Sequence, residues 1–181
     1  MQTLLDRFDA LLARFDAELE PLADAQLDAE PADGGWTGRQ ILGHLTITAR
    51  LYDERIRAAI ARRPEGGKPT TKPHKPGWFA GLLLKWLPDL AKRFKSPKKF
   101  DPRHSDEHFD VAALCRVHRS LRATAAQIAE RHLGAVRFGT PVSPLLRLSM
   151  QDGIQVMVLH GERHLVQLRR VAGLPALEGS A

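Results

Sequence analysis

The chain has 181 residues, 43% of them apolar and 27% charged, with a single cysteine. At this length roughly 70% of the unfolded surface can be buried, so a core needs no staple, and one thiol excludes a disulfide-built secreted scaffold. The net charge of +6 is local, because residues 62–103 hold 12 Lys or Arg against 3 acids while the first 35 residues hold 9 acids against 2 Arg; a domain-wide nucleic-acid footprint is not supported, and no nucleic-acid partner is expected.

From the N-terminus, Leu4, Leu5, Phe8, Leu11, Leu12, Phe15, Leu19 and Leu22 recur in steps of three and four, which predicts a helix over 3–20. Acids stand in this stretch where a signal peptide carries basic residues, and no apolar run approaches the roughly 20 residues that cross a bilayer, so a cytoplasmic protein without stable membrane insertion is expected. After the loop at 31–36, Thr37 and Gln40 read as a capping box. Ile41, Leu42, Leu45, Leu51, Tyr52, Ile56 and Ile60 then carry a second helix to about Arg63, before Pro64, Gly66 and Gly67 stop it. Residues 64–104 are rich in Pro and Lys, with one amphipathic piece at 78–87. Ser105 reads as the N-cap of a third long helix through Phe109, Leu114, Val117, Leu121 and Ile128, ending near Gly134. A connection with Gly139, Pro141 and Pro144 leads to a final helix over about 149–172, closed by Gly173 and Pro175. No strand alternation stands out.

Four long one-sided helices and one long crossover predict an all-α, mostly antiparallel four-helix bundle, with a short extra helix inside the basic crossover. Residues 1–175 are expected to form one domain and 176–181 a flexible tail.

The final helix places His160 and His164 at i and i+4, on one face beside the apolar Met157, Leu168 and Val171. Neutral imidazoles on a core-facing stripe need partners, and a shared metal ion is one such partner. Two ordinary polar residues at the edge of the stripe would leave the same pattern. His44, between Ile41 and Leu45 on the second helix, can face the interior at similar depth and would complete a three-nitrogen set with an open position. Such a set suits zinc or nickel first, and also iron or manganese. The pattern is not that of a zinc peptidase: Gly161 stands where the catalytic Glu would be, Arg163 precedes the second His, and Glu162 lies about 200° around the helix from His160.

The second helix beginning WTGRQILGHL and the last helix reading HGERHLVQL together resemble the DinB-like superfamily, the group also called YfiT-like. Trp36, Thr37, His44, Leu45, His160 and His164 occupy the places of its signature. The resemblance spans the chain apart from its tail. It implies a four-helix bundle whose metal ligands are His44, His160 and His164. It also implies an activity that ranges over metal-dependent transferases and isomerases using a low-molecular-weight thiol on a small-molecule substrate. The contrasting reading is a non-catalytic binding or stress-response module.

Cys115 beside Leu114 reads as a small core residue; His118 one turn on could approach the site, but reads better as a rim histidine. His74, His104, His108 and His132 are expected to be solvated, and Trp36 to plug the start of its helix. Arg163 and Gln167 flank the histidine pair, either supporting it or lying on the surface. The crossover is too long for an ordinary bundle connection, and a lid beside the histidines or a contact in a homodimer is expected rather than membrane binding. Trp78 and Trp86 should then be at least partly buried, with Lys92, Arg93, Lys95, Lys98 and Lys99 exposed.

Overall fold

The computed structural model describes residues 1–32, 34–69, 72–90, 92 and 96–175. The expected tail at 176–181, and Arg93 and Lys95, lie outside the described residues. Helix α1 (Gln2–Leu19) buries Leu5, Phe8, Leu11, Leu12, Phe15 and Leu19, the stripe its periodicity predicts. A short helix α2 (Asp24–Asp28) follows and seats Leu27 beneath Gly38, where a Cβ would come within 3.1 Å of the Leu27 backbone. Helix α3 (Gly38–Ala61) opens on the Thr37 and Gln40 capping box. In the crossover, α4 (Trp78–Trp86) is followed by two single turns of 3-10 helix, Lys98–Phe100 and Pro102–His104. Helix α5 (Val111–Glu130) and helix α6 (Met150–Val171) complete the bundle, α6 capped by the Ser149 hydroxyl and followed by Gly173 at φ 69°.

The chain forms a four-helix bundle of α1, α3, α5 and α6, in which α3 and α1 each pack against both α5 and α6. Its directions depart from the mostly antiparallel expectation. Gly43 lies under Phe109, and further along Asp53 meets Ser120 and Thr124, so α3 and α5 run parallel. Arg7 pairs with Glu162 and Glu18 with Arg169, so α1 and α6 also run parallel. The remaining neighbours are antiparallel.

Two further expectations are corrected. Helix α5 begins five residues later than Ser105, with Asp110 accepting the Ala113 N–H at 2.6 Å, while Ser105 only accepts the Glu107 N–H in a local turn. The side chains of Pro102 and Phe109 pack on Gly43, where a Cβ would come within 2.7 and 2.5 Å of them, and this holds the chain extended before α5. A small antiparallel hairpin, β1 (Arg137–Gly139) with β2 (Arg147–Ser149), joins α5 to α6 and buries Phe138 opposite Leu148. Strands of three residues are too short to show alternation in the sequence. No helix among the described residues is long and apolar enough to cross a membrane.

Candidate metal centre

Helix α3 brings His44 to α6, and the ring nitrogens of His44, His160 and His164 lie within 4.8 Å of one another. The rings are close in all three pairings, with centroids 4.5 to 5.0 Å apart. His44 is buried, and the other two keep partial exposure. The i, i+4 spacing aligns the pair on α6, and Ile41, Leu42 and Leu45, all fully buried, lock the turn that presents His44.

Hydrogen bonds on the far side of the rings decide what the near side can do. His44 Nδ1 donates to the Phe100 carbonyl at 2.8 Å, and His164 Nδ1 donates to Gln167 Oε1 at 2.9 Å. With Nδ1 carrying the proton, each neutral ring turns an Nε2 lone pair toward the cluster. His44 Nε2 lies 3.0 Å from His160 Nε2, near the roughly 3.3 Å expected between two nitrogens each about 2.0–2.1 Å from one tetrahedral ion. Burial holds all three rings in the neutral, ligating form. It lowers His44 against the pull of the Phe100 carbonyl, takes His164 down to about 3, and puts His160 well below the usual range with His164 and His44 adding to the effect. The donor set therefore fits a divalent metal.

The crossover closes over this cluster. Arg163, between the two α6 histidines, donates to the carbonyls of Leu87 (3.0 Å), Asp89 (2.6 Å) and Lys92. Trp36 lies over His44 with ring centroids 4.9 Å apart. Of the two crossover tryptophans, Trp86 is partly buried with Lys92 above its ring, but Trp78 is 84% exposed, contrary to expectation. Gly77 is hydrogen-bonded to Asp152, and α4 turns Ala80 rather than Trp78 toward the bundle. Lys92, Lys98 and Lys99 are exposed.

Elsewhere, Glu162 points away from the cluster and pairs with Arg7 at 2.6 Å. Cys115 is buried. His118 is not on the rim: it is fully buried, edge-on to Phe15. His74 is not simply solvated either, since it bonds buried Asp152 at 2.7 Å; His104, His108 and His132 are exposed. A surface cleft of about 340 Å³ lies at the N-terminal end of α3, lined by residues including Arg39, Arg103 and Glu107, and none of the three histidines lines it. The part of the site that sequence reasoning missed is the Phe100 carbonyl, because a backbone acceptor leaves no mark on residue type.

The DinB superfamily matches residues 7–168. The chain belongs to this superfamily. No curated protein matches it. Among solved structures it is similar to YfiT from Bacillus subtilis, described as a probable metal-dependent hydrolase with an unusual four-helix bundle topology; the two share 19% identity at a TM-score of 0.57, covering 96% of this chain and 88% of the other. At that identity the likeness speaks for the fold alone.

Proposed function

We propose that this DinB-superfamily chain is a metal-dependent enzyme that binds one divalent ion, zinc or nickel first, through the Nε2 atoms of His44, His160 and His164, and transfers a small thiol to a small electrophile. The observation that carries the metal reading is the convergence of three neutral imidazoles, two with Nδ1 already committed to an acceptor. A bound divalent ion would supply a Lewis acid that favours the deprotonated form of a coordinated thiol or water. Gln167 and the Phe100 carbonyl orient the ligands, and Arg163 keeps the crossover over them and limits water. Among the described residues the cluster includes no carboxylate, and Asp101, close enough to act on His44, is taken up by Arg103 at 2.6 Å, which favours a nucleophile that ionises easily, such as a thiol, over water. Hydrolysis is the second reading, and the description of YfiT favours it.

Elemental analysis of protein purified without a histidine tag, followed by melting with and without added metal, tests the centre. Metal at a hundred times its Kd adds about 2.7 kcal/mol, which at about 2–4 °C per kcal/mol raises Tm by roughly 5–10 °C, and His160→Ala abolishes the rise. Identical melting with zinc, nickel and manganese would remove the metal. Conjugation of a model electrophile should need both metal and glutathione, bacillithiol or mycothiol, and should fall by orders of magnitude in His164→Ala. Ester cleavage without thiol would establish the hydrolase instead, and a metal-loaded protein silent in both assays would favour a binding module.

A further inference from the structure

Two of the three histidines have an acceptor for Nδ1, but His160 Nδ1 is buried with no partner. It is one of five such side-chain atoms among the described residues. Arg14 Nη2 and Arg169 Nε belong to the ion-pair cluster around Glu18. The other two are Thr48 Oγ1 on α3 and His118 Nε2 on α5.

The contacts around them put these three residues on nearby turns of α3, α5 and α6. Thr48 stands one turn beyond His44 on α3. The contact of Gly43 with Phe109 on one side, and of Asp53 with Ser120 and Thr124 on the other, set Thr48 at the height of the turn that carries His118. Between α3 and α6, the pairs His44 with His160 and Ile56 with Gly153 bracket Thr48 and set it opposite the turn of α6 that precedes His160. His118 lies edge-on to Phe15, with centroids 5.1 Å apart, and Phe15 reaches to within 3.5 Å of where a Cβ on Gly161 would stand, next to His160. His118 is also near enough that a proton on it would repel one on His160.

The donor and acceptor inventory is complementary. His118 Nδ1 donates to the Leu114 carbonyl at 3.0 Å, so its Nε2 is a lone pair. His160, if it presents Nε2 to a metal, carries its proton on Nδ1. A buried water typically makes about three hydrogen bonds to groups that otherwise lack partners. We propose that Thr48 and His118 are positioning residues for His160, joined to its Nδ1–H by one buried water that accepts from His160, donates to His118 Nε2 and bonds the Thr48 hydroxyl. The network gives His160 the support that Phe100 and Gln167 give the other two, and sets all three rings in the same tautomer. It rests on the metal-centre reading proposed above.

The test measures zinc and nickel affinity by competition with a chromophoric chelator, alongside the melting of the metal-free variants. His118→Phe and Thr48→Val should each bind metal about 10–100-fold more weakly, the usual cost of losing a group behind a ligand, in apo proteins that still unfold cooperatively. His118→Gln, which keeps an acceptor, should stay within a small factor of the parent. Unchanged affinity in both Thr48→Val and His118→Phe would overturn the proposal, and Thr48→Val carries the test alone if His118→Phe does not fold. A high-resolution crystal structure of the metal-free parent should show the water within hydrogen-bond reach of all three atoms, and its absence would overturn the network even in a protein that binds metal. A parent that binds no metal yet holds this water would refute the metal centre and leave the network standing.

Discussion

Lowering the pH should destabilise the metal-free protein through its buried histidines, and His118 allows the size of the effect to be worked out. The ring is fully buried, and burial takes it from the ordinary 6.5 to about 4 against the opposing pull of the Leu114 carbonyl. Between those two values the unfolded chain holds a proton that the native state refuses. Stability therefore rises with pH across that window, and is lost as the pH falls from 6.5 toward 4. One proton corresponds to about 1.4 kcal/mol per pH unit, so His118 alone costs about 3 kcal/mol at the acid end, a large share of the roughly 5–15 kcal/mol of a whole domain. His44, His160 and His164 are shifted in the same direction and steepen the loss. Urea unfolding of chelator-treated protein at several pH values gives the slope, and the comparison with His118→Phe isolates one ring. The variant's curve should be flatter by about 1.4 kcal/mol per pH unit within the window, whatever the substitution does to stability at neutral pH. Parallel curves for the two proteins would refute the assignment of His118 as a buried neutral base.

Gly43→Ala should lower stability by about 1–3 kcal/mol in thermal or urea unfolding, because the added Cβ would stand 2.5 Å from Phe109 Cδ2 and 2.7 Å from Pro102 Cβ, outweighing the better helix propensity of alanine. Gly81→Ala, with nothing within 4 Å of its Cβ, should raise stability by up to about 1 kcal/mol; the same sign in both variants would contradict the packing described. The Cys115 thiol, pushed up to about 12 by burial first and then by Asp16, should resist alkylation at mildly alkaline pH in the native protein and react after denaturation. Rapid labelling of folded protein would show that the α5 face is open.

The four long helices were legible because each buries one stripe with a 3.6-residue period and two carry clear ends: α3 at Thr37 with Gln40, and α6 at Ser149 with the Asp152 N–H and at Gly173 with positive φ. The three histidines were legible for the same reason, since their spacing and their place among buried leucines put them on inward faces. Helix direction was not, because a periodic stripe reads the same whichever way its neighbour runs. The start of α5 was misplaced because Ser105 and Asp110 both suit an N-cap, and the choice was made at a distance by Phe109 packing on Gly43. Placing His118 on the rim and Trp78 at least partly against the bundle were errors of rotation about a helix axis, where a few tens of degrees separate an inward from an outward ring.

Helix direction also accounts for the length of the crossover and for its place at the site. For α5 to run parallel to α3, the chain leaving α3 near Ala61 must return along the bundle to begin again beside Gly43, a distance no short loop can span. That return passes the turn of α3 that carries His44 and the turn of α6 that carries His160 and His164. Its carbonyls at 87, 89 and 92 meet Arg163, and its carbonyl at Phe100 meets His44 Nδ1. In an antiparallel up-and-down bundle a short turn would replace this segment, and His44 would have no such acceptor. The parallel pairing of α3 and α5 thus supplies both the cover over the histidines and the hydrogen bond that sets the tautomer of one of them, so a shortened crossover should weaken metal binding before it unfolds the bundle.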